Sequence, residues 1–517
     1  MAAVPRSAWR GALAGLVVGV VALSGSWYPS LWSDESATIS AAQRSLAELW
    51  TMVGNIDLVH GLYYFGMHLW VKVFGISELA MRAPSAIAVG VAGACIYWIG
   101  IRLGGPRLAL WSVVTFALLP RALWAGTEAR PYAFTAVLAS AAFLALLVAL
   151  DTRSRVAWAS YVVLLLLGIL ANLYLGLLVV AHLVSMLMDP TVERRQRISW
   201  AKAVAAALVV ALPFLVAASR QTGQLGDHRF GWRDLAQNVA VNQWFLGETP
   251  TTTGGVATTA VTAGDVGTWW APSGVLFAGV AWLLIAYAVV RFTRGANLDP
   301  AGDGRQPLVW LLPWLVVPTV VIGVYSVVSK PMYSARYLTF AAPAAALLIA
   351  LGLVLIRSPW LRRGAAVVMA LAAIPIFISQ RELHAKNSSD WASAAEQIEH
   401  GAEAGDGVYF APRYDVGGGT VGRTTRGIQT AYPDSFAGLI DITLVESPES
   451  AGDLTGRSRR LRNAGDALDA IDTLWVVRRT DYPERLAADD DAFLASAGFE
   501  QVEAWVGPLD AVLRFER

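Results

Sequence analysis

Cysteine, histidine and charge are all scarce in this chain of 517 residues, which has one Cys and six His. Cys95 has no second cysteine to pair with, so neither a disulfide framework nor a thiolate metal centre can form. Asp, Glu, Lys and Arg make up 15% of the residues, where a soluble domain carries about a quarter. With 56% of the residues hydrophobic, a soluble single-core protein is excluded. No nucleic acid is expected as a partner. The sequence also lacks an internal repeat and the paired Gly/Pro-broken helices of two-fold transporters, which counts against a transporter.

The apolar residues gather into runs long enough for an α-helix to cross roughly 30 Å of hydrocarbon. Eleven spans are expected, at 10–27, 84–103, 107–125, 131–150, 156–171, 172–188, 201–218, 272–292, 309–328, 337–356 and 363–380. The first is read as a retained span, because no convincing cleavage site follows it. A further run, 61–74, is too short to span and carries Tyr63, Tyr64, Trp70 and Lys72, so it is expected to lie in the membrane interface.

The small net charge hides a split. Residues 1–380 hold 26 Lys/Arg against 15 Asp/Glu, or +11, and residues 381–517 hold 14 against 24, or −10. A membrane domain over 1–380 and a soluble domain over 381–517 follow as expectations. With the N-terminus inside, the connectors 102–107, 151–155, 189–202, 291–305 and 357–363 fall on the cytoplasmic side, as the positive-inside rule requires. The long outer loops 28–83 and 219–271 and the whole tail then share the extracytoplasmic face, where long segments can build a site. The Thr/Gly-rich stretch 249–262 reads as a flexible loop segment. In the tail, strands are expected at 407–411 and 473–477, with a helix over 390–401 opened by an Asp cap and a terminal hairpin around Gly507 and Pro508. These make a small α/β or α+β domain.

Several polar groups sit where burial is costly. Asp34 and Glu35 follow the first span at the outer surface, beside Trp32, and adjacent carboxylates there are expensive to desolvate. One of them could take the proton of an acceptor hydroxyl as a general base, and a solvated loop with a helix cap would account for the same residues. Asp57, His60 and Tyr63 open the interfacial run. His60 and Lys72 could face an anionic headgroup, or the group could be an aromatic belt with ordinary interface polars. Glu78 and Arg82, four apart before Pro84 at the first turn of a span, read as a structural ion pair. Glu128-Ala129-Arg130-Pro131-Tyr132 puts a carboxylate and a guanidinium at membrane depth, where each must be paired or hold a ligand. Arg130 can grip a phosphate through two parallel hydrogen bonds. Lys330 and Arg336-Tyr337 flank an outer turn where the positive-inside rule predicts no basic residues, which points to an anionic ligand.

Taken in order, Asp34-Glu35, Asp57 before Leu62-Tyr63-Tyr64, Glu78 with Arg82-Ala83-Pro84-Ser85, Glu128 to Tyr132, Arg336-Tyr337-Leu338 with Pro343, and Asp390-Trp391 resemble the protein O-mannosyltransferase-like branch of the GT-C membrane glycosyltransferases. The residue usage is similar to the actinobacterial type. The resemblance covers the membrane part and the first turn of the tail. In one place the chain departs from it: the family's His-Pro-Pro run is replaced by Val59-His60-Gly61.

The resemblance implies a GT-C fold of about 11 transmembrane helices and an enzyme of the plasma membrane with its active site on the extracytoplasmic side. It further implies a polyprenyl-phosphate sugar donor and inversion at the anomeric carbon. Asp34 takes the base role with Glu35 in support. Arg130 and Arg336 hold the donor phosphate, joined by Lys330 and Lys72, with Glu128, Tyr132, Tyr337, Asp57, His60 and Tyr63 as substrate contacts. No cofactor is required; a divalent cation, Ca²⁺ or Mg²⁺, could sit at Asp34 and Glu35, although two carboxylates do not make a site alone. Asp489-Asp490-Asp491 reads as a solvated loop or helix start. The expected reaction moves one sugar, mannose, to a cell-envelope glycan or lipoglycan. The alternatives are arabinofuranose as the sugar, a lipid-linked sugar flippase, or a scaffold whose tail binds envelope polymers.

Overall fold

The computed structural model describes residues 8–221, 231–247, 269–295, 305–412 and 424–517. The stretch 249–262, read above as a flexible loop, lies outside them. Two compact units form, Met1–Trp27 with Arg82–Arg381 and Tyr28–Met81 with Glu382–Arg517, so most of the first outer loop belongs to the same unit as the tail.

The first unit is a bundle of apolar helices, and a helix stands at each of the eleven expected spans. Seven helices are long and apolar enough to cross a membrane, and Trp9–Leu23, Arg155–Ala171 and Leu173–Met188 are shorter apolar ones. The longest, Glu78–Leu118, covers two expected spans and breaks at Gly105, whose φ of 77° suits only a residue without Cβ. This is a multi-pass membrane protein. Pro84, expected at a first turn, stands in the seventh position of that helix. The helix Ala342–Leu355 is buried almost throughout, and its Gly352 comes so close to the helix Ala271–Thr293 that a Cβ there would meet the Leu284 carbonyl at 2.3 Å. Small residues permit such backbone contact where apolar burial drives nothing between helices in lipid.

Ion pairs tie four of the expected cytoplasmic connectors to one end of this bundle. Arg102 reaches Asp151 at 2.5 Å, Arg305 pairs with Asp151 and lies 3.9 Å from Asp189, and Arg153 reaches Glu193 at 2.5 Å. The Asp189 carboxylate also accepts from the Trp310 indole at 2.8 Å. Tyr132 begins and Thr152 ends a helix of 21 residues, so the Glu128–Tyr132 turn lies at the opposite end of the bundle. Arg82, read from the sequence as half of an ion pair, donates to the Ser26 carbonyl at 2.7 Å. Arg381 donates to the carbonyls of Ser24 (2.5 Å) and Ala22 (3.2 Å), satisfying acceptors that the end of the helix Ala8–Leu23 leaves over.

The second unit combines the helices Ser33–Gln43, Leu46–Asn55 and Gly61–Phe74 with a mixed sheet. Its strands are β1 (Gly407–Ala411), β2 (Ile440–Asp441), β5 (Thr473–Arg479), β6 (Glu500–Val506) and β7 (Asp510–Glu516), while β3 (Leu444–Glu446) and β4 (Arg457–Ser458) pair separately. The order is β2-β1-β5-β7-β6, parallel across β2-β1-β5 and antiparallel from β5 to β6. The expected strands and terminal hairpin are all present. The capping box of Ser45 and Glu48 starts the second helix, each side chain accepting from the other's backbone amide.

Asp390 differs from its expected role. It stands at the N-cap of the helix Trp391–Gly401 but makes no cap bond; its Oδ2 accepts from the amides of Leu509 (2.9 Å) and Asp510 (3.0 Å). Those bonds fix the turn of the terminal hairpin. Gly507 is required there, since a Cβ would lie 2.1 Å from Asp390 Oδ2. Burial, with the Asp390 charge adding to it, pushes the Asp510 carboxyl well above its ordinary value, although Arg479 pulls the other way. Because Asp510 binds its proton more tightly folded than unfolded, its contribution is complete below the ordinary Asp value of about 3.9 and is lost as pH rises through the higher folded value. Thermal unfolding followed from pH 5 to 9 is expected to show a falling Tm that Asp510→Asn, neutral at every pH, flattens.

Candidate active site

The polar end of the helical unit is organised by Arg121. The sequence reading placed it inside the span 107–125, but the helix ends at Leu118 and a separate turn, Pro120–Ala125, carries the arginine. Its guanidinium, 0% exposed, donates to the carbonyls of Gln243 (3.0 Å) and Asn242 (2.8 Å) and lies 4.8 Å over the Trp124 ring. Both carbonyls belong to the π-helix Asn238–Leu246, a rare form frequent at functional sites. The Gln243 side chain donates to Thr319 Oγ1 at 2.8 Å and accepts from the Tyr333 hydroxyl at 2.9 Å.

From this base two distant turns meet. Trp124 stacks on Tyr132, with ring centroids 5.3 Å apart, and Tyr132 lies 6.2 Å from Tyr337. Arg336 lies 5.8 Å over the Tyr337 ring, and Tyr174 meets the same ring edge-on at 5.8 Å. Glu128 and Arg130, on the Tyr132 turn, are buried, and the Glu128 carbonyl accepts from Ser85 Oγ at 2.5 Å. Asn172 donates to the Tyr337 carbonyl at 3.0 Å, and Tyr174 to the Met332 carbonyl at 2.8 Å, so the connection between two short apolar helices braces the second turn. Arg130, Glu128, Tyr132, Arg336 and Tyr337 are thus brought to one region. Lys330 is exposed beyond the end of the helix Pro307–Val328.

The remaining expected site residues belong to the second unit. Asp34 and Glu35 stand in the first turn of the helix Ser33–Gln43, where the positive end of the helix favours carboxylates. The two acids therefore open a helix, in which Asp34 is half-buried and Glu35 fully buried. Asp57 has a left-handed backbone, φ 62°; its carboxylate accepts from the Tyr64 hydroxyl at 2.5 Å and lies 2.9 Å from His60 Nδ1. That nitrogen of His60 is turned to a carboxylate, where an anionic headgroup was one of two readings from the sequence. Tyr63 is buried, and Lys72 is exposed on the last turn of Gly61–Phe74. Asp489, Asp490 and Asp491 fall in mid-helix, within Glu484–Ser496, and correct the reading of a loop or helix start. Among the described residues no three His, Cys, Asp or Glu side chains gather as a metal site.

Residues 62–216 match the family model described as dolichyl-phosphate-mannose-protein mannosyltransferase. The crystal structure of ArnT from Cupriavidus metallidurans in the apo state superposes with a TM-score of 0.57 at 13% identity, covering 98% of this chain and 97% of that one. An Archaeoglobus fulgidus oligosaccharyltransferase, in complex with Zn and sulfate, gives 0.50 at 12% identity, over 96% of this chain and 72% of that one. No curated protein sequence matches the chain. The fold is that of the GT-C glycosyltransferases.

Within this GT-C fold, sequence reasoning missed Arg121, Gln243 and Tyr333. A lone arginine in an apolar run was the available signal for the first, since such a group needs a partner in the protein. Nothing in the sequence marked Gln243, whose role depends on a π-helix. Arg121→Leu would leave two buried carbonyls without a donor, a loss of about 2–5 kcal/mol. A lower Tm in detergent is expected, and Arg121→Lys is expected not to restore it, since an ammonium lacks the fork that reaches both carbonyls.

Proposed function

We propose that this chain is an inverting glycosyltransferase that moves a single sugar, mannose, from a polyprenyl-phosphate donor to an extracytoplasmic glycan or lipoglycan of the cell envelope. The observation that carries the reading is the meeting of the Glu128–Tyr132 and Arg336–Tyr337 turns through paired tyrosines, at the end of the bundle away from the ion-paired connectors. Guanidiniums on two adjoining turns suit a lipid phosphate, which is anionic and has an apolar tail to leave among helices. The match of residues 62–216 to the mannosyltransferase model supports the choice of donor and sugar. The sharing of one bundle end by the basic connectors supports placing the polar turns and the tail outside.

In the proposed reaction the acceptor oxygen attacks the anomeric carbon and its proton passes to the Asp34 carboxylate. The bond from that carbon to the phosphate oxygen breaks, and polyprenyl phosphate leaves with the electron pair. Arg130 and Arg336 meet the charge that develops on it, so no general acid is needed at the leaving group. Glu35 supports Asp34. Lys330, Lys72, Asp57, His60 and Tyr63 remain candidates for substrate contacts.

The test is transfer of radiolabel from polyprenyl-phosphate mannose and, in parallel, from polyprenyl-phosphate arabinose to envelope acceptors. Mannose transfer is expected, with kcat reduced about 10²- to 10⁴-fold by Asp34→Asn, the usual size of acid–base catalysis. Arg336→Gln is expected to raise KM for the donor. Preferred transfer of arabinose would overturn the sugar assignment. Translocation of the lipid-linked sugar without transfer, indifferent to Asp34→Asn, would make the protein a flippase.

A further inference from the structure

The soluble part of the second unit contains a cavity of about 380 Å³, within the range of small-molecule sites, that the proposed transfer does not use. Tyr409 of β1 and Tyr482, in the turn after β5, stand on one wall. Arg485, Asp489 and Asp490 come from the helix Glu484–Ser496, and Arg460 and Arg462 from the connection at Leu461–Asn463. Asp490 Oδ2 accepts from both tyrosine hydroxyls, at 2.9 Å from Tyr409 and 3.2 Å from Tyr482, so one carboxylate oxygen fixes two rings. Arg462 lies 3.5 Å from Asp489. Among the described residues, neither Arg460 nor Arg485, both exposed, has a carboxylate within ion-pair distance. The cavity thus combines fixed aromatic rings, hydrogen-bonding oxygens and two guanidiniums that pair with no carboxylate among the described residues.

We propose that this cavity binds an acidic saccharide, a sugar carrying a carboxylate or a phosphate. Tyrosine rings present large rigid surfaces to the C–H faces of a pyranose, while Asp490 and the phenol oxygens bond its hydroxyls. Arg460 and Arg485 take the anion with forked, charge-assisted bonds. A neutral sugar would leave both guanidiniums idle, and a bare anion would leave the rings uncovered and most of the volume empty. The inference stands apart from the transfer reaction: the site is in the soluble domain and its occupancy needs no donor.

Calorimetry on the full chain in detergent tests it with four probes: a glucuronic-acid disaccharide, mannose 6-phosphate, neutral mannobiose and inorganic phosphate. One acidic sugar is expected to bind at least about tenfold more tightly than mannobiose or phosphate, and which one does so identifies the anion. Arg460→Gln and Arg485→Gln are each expected to weaken it about tenfold, the usual worth of a hydrogen bond to a charged group, with Tm unchanged because both side chains are exposed. Equal binding of mannobiose, equal binding of phosphate alone, no binding by a folded protein, or acidic-sugar binding untouched by either substitution would each overturn the proposal.

Discussion

A guanidinium taken out of water must find its acceptors within the protein, and the way Arg121 does so governs the polar end of the helical unit. Its partners are the two carbonyls of a π-helix, so the charge and the irregular backbone stabilise each other. The π-helix in turn aims Gln243 at Thr319 and Tyr333. Tyr333 stands three residues before Arg336, so the position of that turn follows from a contact made more than two hundred residues earlier in the chain. Trp124, beneath the same guanidinium, supports Tyr132 from the other side. One buried charge therefore orients both turns that carry the candidate phosphate ligands.

The aromatic tier above it has a physical reason. Tyrosine offers a broad apolar face and one polar tip, which suits a place where apolar helices give way to polar turns. Tyr132, Tyr174 and Tyr337 pack through their rings, and Tyr174 and Tyr333 spend their hydroxyls on polar partners. Arg336 can lie over Tyr337 because a guanidinium is planar and weakly hydrated.

What the sequence disclosed follows from which forces act locally. Apolar runs of bilayer length marked where the apolar helices stand, seven of them long enough to cross a membrane, because in hydrocarbon every backbone group must be satisfied within the segment. The charge of the connectors foretold that they would share one bundle end, and the ion pairs of Asp151 and Asp189 bear this out. Short apolar runs and turn residues gave β1, β5 and the terminal hairpin. Long-range features were hidden. Asp390 looked like a helix cap because its neighbours make a cap sequence, yet two amides of the terminal hairpin compete for its carboxylate and win. Arg130 could be singled out as a charge at membrane depth and Arg336 by its placement against the positive-inside rule, but the tyrosine contact that joins their turns depends on helix packing. Asp490 looked solvated within a run of three acids, and only the fold brings Tyr409 to it.

The helical start at Ser33–Gln43 changes what its acids can do together. In a loop, adjacent carboxylates can turn toward a single ion; on an α-helix, neighbours in sequence point about 100° apart, and residues one apart do not face each other. Asp34 and Glu35 are accordingly in different surroundings, one half-buried and the other fully enclosed. A cation shared by the two side chains runs against that geometry, whereas a division of labour agrees with it. Glu35 is enclosed within the fold, and Asp34 stands half-buried at the start of the helix. In the proposed transfer a single general base needs no second carboxylate aimed at the same atom, because the electrostatic demand falls on the departing phosphate, where guanidiniums and not acids are required.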